Sequence, residues 1–413
     1  MNFLTNKQVE YIAKNYTLPV YVYSQEKLEQ AADDFLAFPS AFWHNVRYAM
    51  KANSNINILK IFKNKGLKID ASSEYEAYRA INAWFDPKDI QISGQETPRN
   101  LKELLEKWVF MVATSLKQLK AIWETGFKWN IWVRINPWMG SGAFKAIATW
   151  WETSAFGIWY EYIPEIKKIA QDYDLNITKI HIHIWSENTP ESWTKSASIW
   201  LDFVNEFKNV DTLDMWWGFK MAIMPYEKTA DLQAIWNSVK QKVEDFYKET
   251  WRKIKLELEP WKYLVINSAS VIAQVDDIVD TWKNWYKFIR TNTGMTEMPR
   301  VSMYGVQQPI TIVNDSKEKE KYVVVGHCCE SWDILTCKLY NQEELEDFEL
   351  NKANIWDLIV IDWVWAYNSS MAMKNYNSFP EAWELMIMED WEIKEIRKRE
   401  ALEEIWRNEI SVI

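Results

Sequence analysis

The balance between tryptophan and glycine is the feature that most limits how this chain can fold. The 413 residues include 27 tryptophans and only 10 glycines, whereas an ordinary protein of this length has about 29 glycines. Several tryptophans also lie where glycine is expected. Trp251, for example, separates a helical pattern from a β-rich run just as Gly126 does, and that position at a helix end favours a left-handed backbone.

We therefore interpret most of these tryptophans as glycines in the living protein. Some bacterial lineages decode the UGA codon as glycine, and a translation that reads UGA as tryptophan would give a sequence of this kind. Trp159, Trp193 and Trp406 lie in helical or aromatic contexts and are interpreted as true tryptophans. The alternative is a protein that is rich in tryptophan, or a decayed copy of an enzyme.

Composition excludes several classes of protein. The net charge of −10 argues against nucleic acid or an anionic membrane as the main partner. No apolar run is long enough to cross a bilayer, and the amino terminus lacks the pattern of a signal peptide. Cys328, Cys329 and Cys337 show no metal-ligand or disulfide pattern, so we expect a cytoplasmic protein.

The order of elements predicts an α/β fold with two domains. Short β-rich runs alternate with helical stretches eight times between residues 47 and 259, which predicts a (β/α)8 TIM barrel over residues 25–262. An open, doubly wound sheet is the alternative, but no early glycine-rich fingerprint supports it. A mostly β domain follows over residues 263–390, with a strand contributed by residues 1–24 and a charged helix over residues 391–413.

Reactive side chains follow the strands at the end where barrel enzymes keep their active sites. Lys51 ends the first strand, where a desolvated lysine can form a Schiff base, although a lysine reaching to solvent is the simpler interpretation. His181 and His183 alternate in the sixth strand and share one face, with Ser186 just beyond. No third ligand of suitable spacing accompanies them, which favours stacking on a cofactor ring over a metal site.

The seventh and eighth strands end in loops that suit an anion. With glycine at positions 216 and 217, bare amide groups at the start of a helix form a cradle for phosphate. The eighth strand ends in a carboxylate, followed by a second glycine-type turn and a cation. The sequences are Trp216-Trp217-Gly218 and Glu259-Pro260-Trp261-Lys262.

The second domain offers groups for binding a substrate. Arg300 and Tyr304 lie four residues apart, and an arginine fork suits a carboxylate. Cys329 and Glu330 place a thiol beside a carboxylate in a polar turn, and Tyr367 follows a strand end. A loop with a buried cysteine is the simpler interpretation of the thiol.

Together these stretches resemble the diaminopimelate decarboxylases, in the alanine-racemase-like (fold-type III) class of pyridoxal 5'-phosphate (PLP) enzymes. The resemblance covers residues 19–388, in the family's order. It implies a PLP-binding barrel, a C-terminal β domain and a homodimer with shared active sites. It also implies decarboxylation of meso-2,6-diaminopimelate to L-lysine and CO2, the last step of lysine biosynthesis.

The resemblance assigns a role to each site residue. Lys51 binds PLP through a Schiff base, His183 stacks on the ring, and Glu259 pairs with the ring nitrogen. Cys329, or alternatively Lys51, protonates the α-carbon of the carbanion. The other residues implied to hold the cofactor are Ser186, Trp216, Trp217, Gly218, Pro260, Trp261, Lys262 and Tyr367. Those implied to contact the substrate are Lys262, Arg300, Tyr304, Tyr367 and Glu330, the last reaching in from the partner subunit.

The chain departs from the family at two kinds of position. Lys262 stands where the family usually has arginine, so the bidentate fork is lost, and indoles at 216, 217 and 261 would fill a phosphate site. Decarboxylases of ornithine, arginine or carboxynorspermidine are near alternatives, but the Cys-Glu-Ser turn favours diaminopimelate. A non-catalytic, decayed copy is the alternative if the tryptophans are real.

Overall fold

The computed structural model describes residues 1–128, 130–137, 154–184, 189–281, 285–364 and 366–412. The chain divides into two compact units. The barrel unit comprises Glu29–Met221 and Lys228–Leu264, and the β unit comprises Met1–Leu28, Ala222–Glu227 and Val265–Ile413. No sequence pattern indicated that residues 222–227 would join the β unit.

The barrel unit is built on eight parallel strands that close into a ring. Hydrogen bonds link the strands in the order β5-β4-β3-β2-β10-β9-β8-β6, and β5 pairs with β6 to complete the circle. The closed ring confirms the predicted barrel and excludes the open sheet. The ring strands are β2 (His44–Ala49), β3 (Lys68–Ala71), β4 (Ile90–Ile92), β5 (Phe110–Ala113), β6 (Asn130–Asn136), β8 (Asn176–Ile184), β9 (Thr212–Trp217) and β10 (Lys255–Leu258); β1 (Val20–Ser24) lies in the β unit and β7 (Ile158–Trp159) pairs with β6.

Helices alternate with the ring strands because amphipathic segments begin at good capping residues. The Ser73 hydroxyl accepts the Glu76 amide at 3.2 Å, and the Ser115 hydroxyl accepts the Gln118 amide at 3.1 Å; a cap of this kind stabilises a helix by about 1 kcal/mol. The helices are α1 (Asn6–Asn15), α2 (Gln25–Leu36), α3 (Ile56–Asn64), α4 (Glu74–Asn82), α5 (Leu101–Glu106), α6 (Leu116–Glu124), α7 (Ile163–Asp172), α8 (Pro190–Asn205), α9 (Leu232–Thr250), α10 (Pro299–Tyr304) and α11 (Leu402–Ile405).

Some tryptophans have the backbone conformation of glycine. Among the described residues, six tryptophans have φ between 59° and 77°, the left-handed region in which a side chain costs roughly 1–2 kcal/mol. Gly66 and Gly126 have the same conformation at the ends of α3 and α6. The six are Trp84, Trp108, Trp251, Trp356, Trp363 and Trp391.

The β unit is centred on a nine-stranded sheet. Its main order is β17-β14-β12-β11-β1-β19-β20, and β18 pairs with β11 and β13. The early strand β1 is antiparallel to β11 and parallel to β19, which places the amino-terminal strand inside the sheet. The strands are β11 (Ala269–Asp280), β12 (Lys287–Thr291), β13 (Ile310–Val313), β14 (Lys319–Val325), β15 (Cys337–Lys338), β16 (Asn341–Leu345), β17 (Phe348–Asn351), β18 (Leu358–Asp362), β19 (Trp383–Ile387) and β20 (Ile393–Arg397).

The carboxyl-terminal segment differs from the charged helix predicted over residues 391–413. Residues 393–397 form β20, which is antiparallel to β19, and only residues 402–405 are helical. The charge pattern is typical of an exposed helix, but the edge of β19 offers main-chain hydrogen bonds, and Ile393 packs on the core of the sheet. Along the described ranges, every helix is too short or too polar to cross a bilayer.

Candidate active site at the carboxyl end of the barrel

Lys51 lies at the mouth of the barrel, in the short turn Met50–Ala52 that follows β2. Its neighbours on both sides are buried, and Lys51 itself is partly buried. Burial lowers the pKa of the Lys51 amine; the carboxylate of Asp70 opposes that effect, and the guanidinium of Arg134 adds to it. A lysine with a lowered pKa spends more time as the neutral amine, which is the nucleophile needed for a Schiff base.

His181 and His183 lie on one buried face of β8. Burial lowers the pKa of His181 to about 3 and holds that of His183 well below its usual value; the positive charge of Arg134 acts in the same direction on both. Both imidazoles are therefore neutral near pH 7. A neutral, flat ring at the end of the strand suits stacking on an aromatic cofactor.

Glu259 follows β10 and is almost fully buried, with 1 % of its surface exposed. Its amide donates to the Met215 carbonyl at 3.3 Å. Burial raises the pKa of the carboxyl well above its usual value, and the nearby carboxylates of Asp214 and Asp70 raise it further. Within the described residues, Oε2 accepts no hydrogen bond, so this buried oxygen fits a protonated ring nitrogen as its partner.

The Glu259 carboxylate also belongs to a cluster of side chains that could bind a metal ion. One ligand atom each from His181, Asp214 and Glu259 lies within 4.8 Å of the others, a spacing suited to a metal ion. The sequence offered no third ligand beside the histidines, because the two carboxylates come from other strands. The ammonium of Lys179, however, lies 2.6 Å from Asp214. The Lys179 ammonium already balances the charge of Asp214, and this disfavours a metal cation at the same place.

The two loops expected to bind phosphate lie at the ends of β9 and β10. Gly218 and Pro260 are buried, and the structure describes only the backbone of Trp216 and Trp217. The indole of Trp261 is buried, with 6 % exposed, in the turn where a phosphate would need open backbone. Ser186 lies outside the described residues. Lys262 is partly buried beside Trp261.

The β unit brings three of the predicted substrate-binding residues together. Arg300 is the second residue of α10 and is buried, with 9 % exposed. Burial lowers the pKa of its guanidinium, and the hydroxyl groups of Tyr367 and Tyr304 oppose this effect. Tyr367 has φ +60°, a strained conformation of the kind that is often found at functional sites.

The loop that carries Cys329 and Glu330 is exposed. The Cys329 amide donates to Oδ1 of Asn377 at 2.9 Å, and the buried carboxylate of Asp333 accepts the Cys328 amide at 2.8 Å. Burial raises the pKa of the Cys328 thiol to about 12, so that thiol stays protonated and unreactive. The structure thus anchors the loop and leaves the Cys329 side chain accessible.

Several buried polar residues of the barrel interior received no role from the sequence. Except for Lys179, which follows Thr178, each lies in a strand between apolar neighbours, as in Ile69-Asp70-Ala71 and Ile90-Gln91-Ile92. That pattern was available as a signal. Their partners come from distant strands, however, which the pattern does not reveal. The residues are Arg47, Asp70, Gln91, Arg134, Lys179, Asp214 and Glu257.

A closed (β/α)8 barrel with a lysine of lowered pKa, a neutral histidine and a buried carboxylate defines a barrel enzyme that fits a charged aromatic cofactor. Comparison with known proteins identifies the family. Residues 26–266 match the family "Pyridoxal-dependent decarboxylase, pyridoxal binding domain". The chain belongs to this family, and its cofactor is pyridoxal 5'-phosphate.

Named relatives extend over both units. The chain is 29% identical to a diaminopimelate decarboxylase of Buchnera aphidicola (subsp. Acyrthosiphon pisum), over 98% of this chain and 97% of the relative. It is 30% identical to the diaminopimelate decarboxylase of Helicobacter pylori strain J99, over 97% and 98%. A crystal structure of the Helicobacter pylori enzyme complexed with L-lysine is 27% identical, with TM-score 0.84 over 97% of this chain and 98% of that chain.

Proposed function

We propose that this protein decarboxylates meso-2,6-diaminopimelate to L-lysine and CO2, the last step of lysine biosynthesis. The convergence of Lys51, His183 and Glu259 on one end of the barrel carries the proposal, because these groups fit PLP. The names of the relatives that align over nearly the whole chain supply the substrate. L-lysine, the proposed product, is bound in one related structure.

The cofactor supplies the electron sink for the pair that remains when the carboxylate leaves as CO2. In this proposal Lys51 holds the cofactor covalently, His183 lies against the ring, and Glu259 faces the ring nitrogen. Ser186, the 216–218 loop and the Pro260-Trp261 turn hold the phosphate. The residues of the chain thereby fix the orientation of the substrate and decide which bond breaks.

Most of the substrate contacts come from the β unit in this proposal. Arg300 and Tyr304 bind a carboxylate of the substrate, Tyr367 is a further contact, and Glu330 binds the distal ammonium. Lys262 is the substrate contact proposed from the barrel unit. The Cys329 thiol donates its proton to the α-carbon. Exposed Cys329 and Glu330 suit a homodimer in which this loop completes the partner's site. A reducing cytoplasm suits the three free cysteines.

The test is CO2 release from meso-diaminopimelate, with ornithine and arginine as competitors, in two forms of the protein. One is the chain as its sequence reads. The other, the glycine form, carries glycine at positions 216, 217 and 261 and at the six left-handed tryptophans. We expect the glycine form to release CO2 from diaminopimelate at least about tenfold faster than from either competitor. Equal or faster turnover of ornithine or arginine would contradict the proposal.

A further inference from the structure

The interior of this barrel is ionic. Such interiors are usually filled with branched apolar side chains, but here inward positions carry four carboxylates and three cations, each less than a tenth exposed. A buried charge is costly unless it is paired and hydrogen-bonded, so the pairing pattern is informative. The carboxylates are Asp70, Asp214, Glu257 and Glu259, and the cations are Arg47, Arg134 and Lys179.

The cations at one end of this array are neutralised directly. Arg47 Nε lies 2.7 Å from Glu257 Oε2. The Lys179 ammonium forms an ion pair with Glu257 and lies 2.6 Å from Asp214 Oδ2. Lys179 also donates to Oε1 of Gln91 at 2.5 Å.

Gln91 connects Lys179 to the carboxylates at the cofactor end of the barrel. Because an ammonium has only donors, the amide oxygen of Gln91 must face Lys179, and its Nε2 group must face the other way. Nε2 lies 3.0 Å from Asp214, 3.1 Å from Asp70 and in a short contact with Glu259 Oε1, so its two N–H groups are shared among three carboxylates. One amide thus contacts all three carboxylates around the cofactor end.

The ionisation of Glu259 depends on the charges around it. Two carboxylates, Asp70 and Asp214, oppose its negative charge, and Lys179 favours it. His181 lies 3.8 Å away and is neutral. The negative charge of Glu259 also acts on the cations Lys51 and Arg134. The Gln91 amide is the donor that binds the Glu259 carboxylate directly, and a hydrogen bond to the charged form favours that form.

We propose that Gln91, held by Lys179, is a positioning residue that orients the Glu259 carboxylate and favours its charged form for pairing with the ring nitrogen. The inference rests on the proposed cofactor role of Glu259. It predicts that Gln91 affects turnover and its pH dependence without contacting substrate or cofactor.

The test compares Gln91→Met with Gln118→Met in the glycine form. Gln118 is equally buried but bonds to Thr114 and to main-chain carbonyls of residues 94 and 95. We expect Gln91→Met to lower kcat about tenfold with little change in KM, and to move the rising limb of the pH profile up by about one unit. Gln91→Glu keeps the shape but adds a fourth nearby anion, so it should move that limb further.

A second readout uses cofactor-free protein and does not depend on activity. Loss of the Gln91 donor raises the pKa of Glu259, so the fall in unfolding temperature with rising pH should extend to higher pH in Gln91→Met than in Gln118→Met. Identical pH profiles and identical unfolding curves for the two variants would overturn the inference. If no form releases CO2, the proposed function fails, while the unfolding curves still decide the role of Gln91.

The left-handed tryptophans carry a second, independent inference. At Gly66, Trp84 and Trp108 the amide donates to the carbonyl three residues earlier, and the next amide donates to the carbonyl five residues earlier, at 2.8 to 3.1 Å. This pattern is the glycine-type helix ending. The three positions share one local structure, and one of them is glycine.

Most of these indoles are exposed, so their packing does little to offset the strain of the left-handed backbone. Trp84 is 71% exposed, Trp251 77%, Trp356 67% and Trp391 65%, although a tryptophan side chain normally contributes through burial. The contact that Trp84 makes with the Lys60 ammonium, 4.2 Å from the ring centroid, lies on the surface. Neither the backbone nor the packing at these positions favours tryptophan.

We infer that the native residue at these six positions is glycine, and that the codon translated as tryptophan is decoded as glycine in the source cell. Peptide mass spectrometry of protein purified from that cell should find glycine at positions 84, 108 and 251. Indole at those positions would overturn the inference.

A stability measurement on the recombinant chain tests the same inference. Trp84→Gly, Trp108→Gly and Trp251→Gly should each raise the unfolding temperature by roughly 2–4 °C. Trp193→Gly is the matched control, because Trp193 is fully buried inside α8, and it should lower that temperature. A fall at all four positions would contradict the assignment.

Discussion

Replacing Lys51 with alanine is expected to abolish decarboxylation. A positioned acid–base group contributes about 10²- to 10⁴-fold to a rate, and the loss here should exceed that range because covalent attachment of the cofactor is lost as well. The measurement is CO2 release, together with the visible absorbance of the bound cofactor. Lys51→Arg keeps the positive charge but cannot form the Schiff base, so it should be equally inactive.

A control separates this effect from general damage to the barrel. Lys68 begins β3, at the opposite end of the ring from Lys51, and pairs with Asp89 at 2.9 Å on the surface. Lys68→Ala should leave both CO2 release and the absorbance unchanged. Activity in Lys51→Ala close to that of Lys68→Ala would rule out the role assigned to Lys51.

Replacing Glu259 with glutamine is expected to lower kcat by about 10²- to 10³-fold, the loss typical when one preorganised electrostatic partner is removed. Glutamine keeps the shape of the side chain but has no charge to pair with a protonated ring nitrogen. Steady-state kinetics of CO2 release measure the loss, and KM for diaminopimelate should change far less than kcat. A kcat within a few-fold of the unsubstituted protein would contradict the pairing.

The same substitution has a second effect in cofactor-free protein. The pKa of Glu259 is raised in the fold, so the native state holds a proton that the unfolded chain releases above its ordinary carboxyl pKa. Stability therefore falls as pH rises from that ordinary value to the raised one. Glu259→Gln removes this ionisation, so its unfolding temperature should decline less across that window.

Glu257, two residues before Glu259, has a pKa that is shifted in the opposite direction. Burial alone would raise its pKa, but Arg47 and Lys179 outweigh burial and hold the pKa well below its usual value. Its ionised form therefore stabilises the fold at neutral pH, and that stability is lost as pH falls through the lowered pKa. Glu257→Gln should cost about 3–5 kcal/mol at neutral pH, because the buried Arg47 guanidinium loses its carboxylate partner and Lys179 keeps only Asp214.

The sequence predicts the barrel well because its signal is local and repeated. The ring strands are short, largely apolar runs that alternate with amphipathic helices, and some of these helices begin at a capping residue such as Ser73 or Ser115. The carboxyl-terminal strand β20 was missed for the opposite reason. Its charged residues resemble an exposed helix, and only the free edge of β19 makes a strand more favourable.

The candidate site likewise contains residues that a local pattern indicates and contacts that no local pattern indicates. Lys51, His183 and Glu259 stand at strand ends, so the sequence can indicate them as candidates. The contact between Gln91 and Glu259 joins residues 168 positions apart, and nothing local in the sequence indicates which carboxylate a buried glutamine will meet. The role of Asp333 is hidden for the same reason, because it holds the Cys329 loop through the main-chain amides of Cys328 and Met295.

The most direct test of the account is to reduce the holoprotein with borohydride and to map the modified peptide. Reduction converts a Schiff base between lysine and the cofactor into a stable bond, so mass spectrometry can locate it. We expect a pyridoxyl group on Lys51 and on no other lysine. Modification of a different lysine, or none in protein that retains bound cofactor, would contradict it.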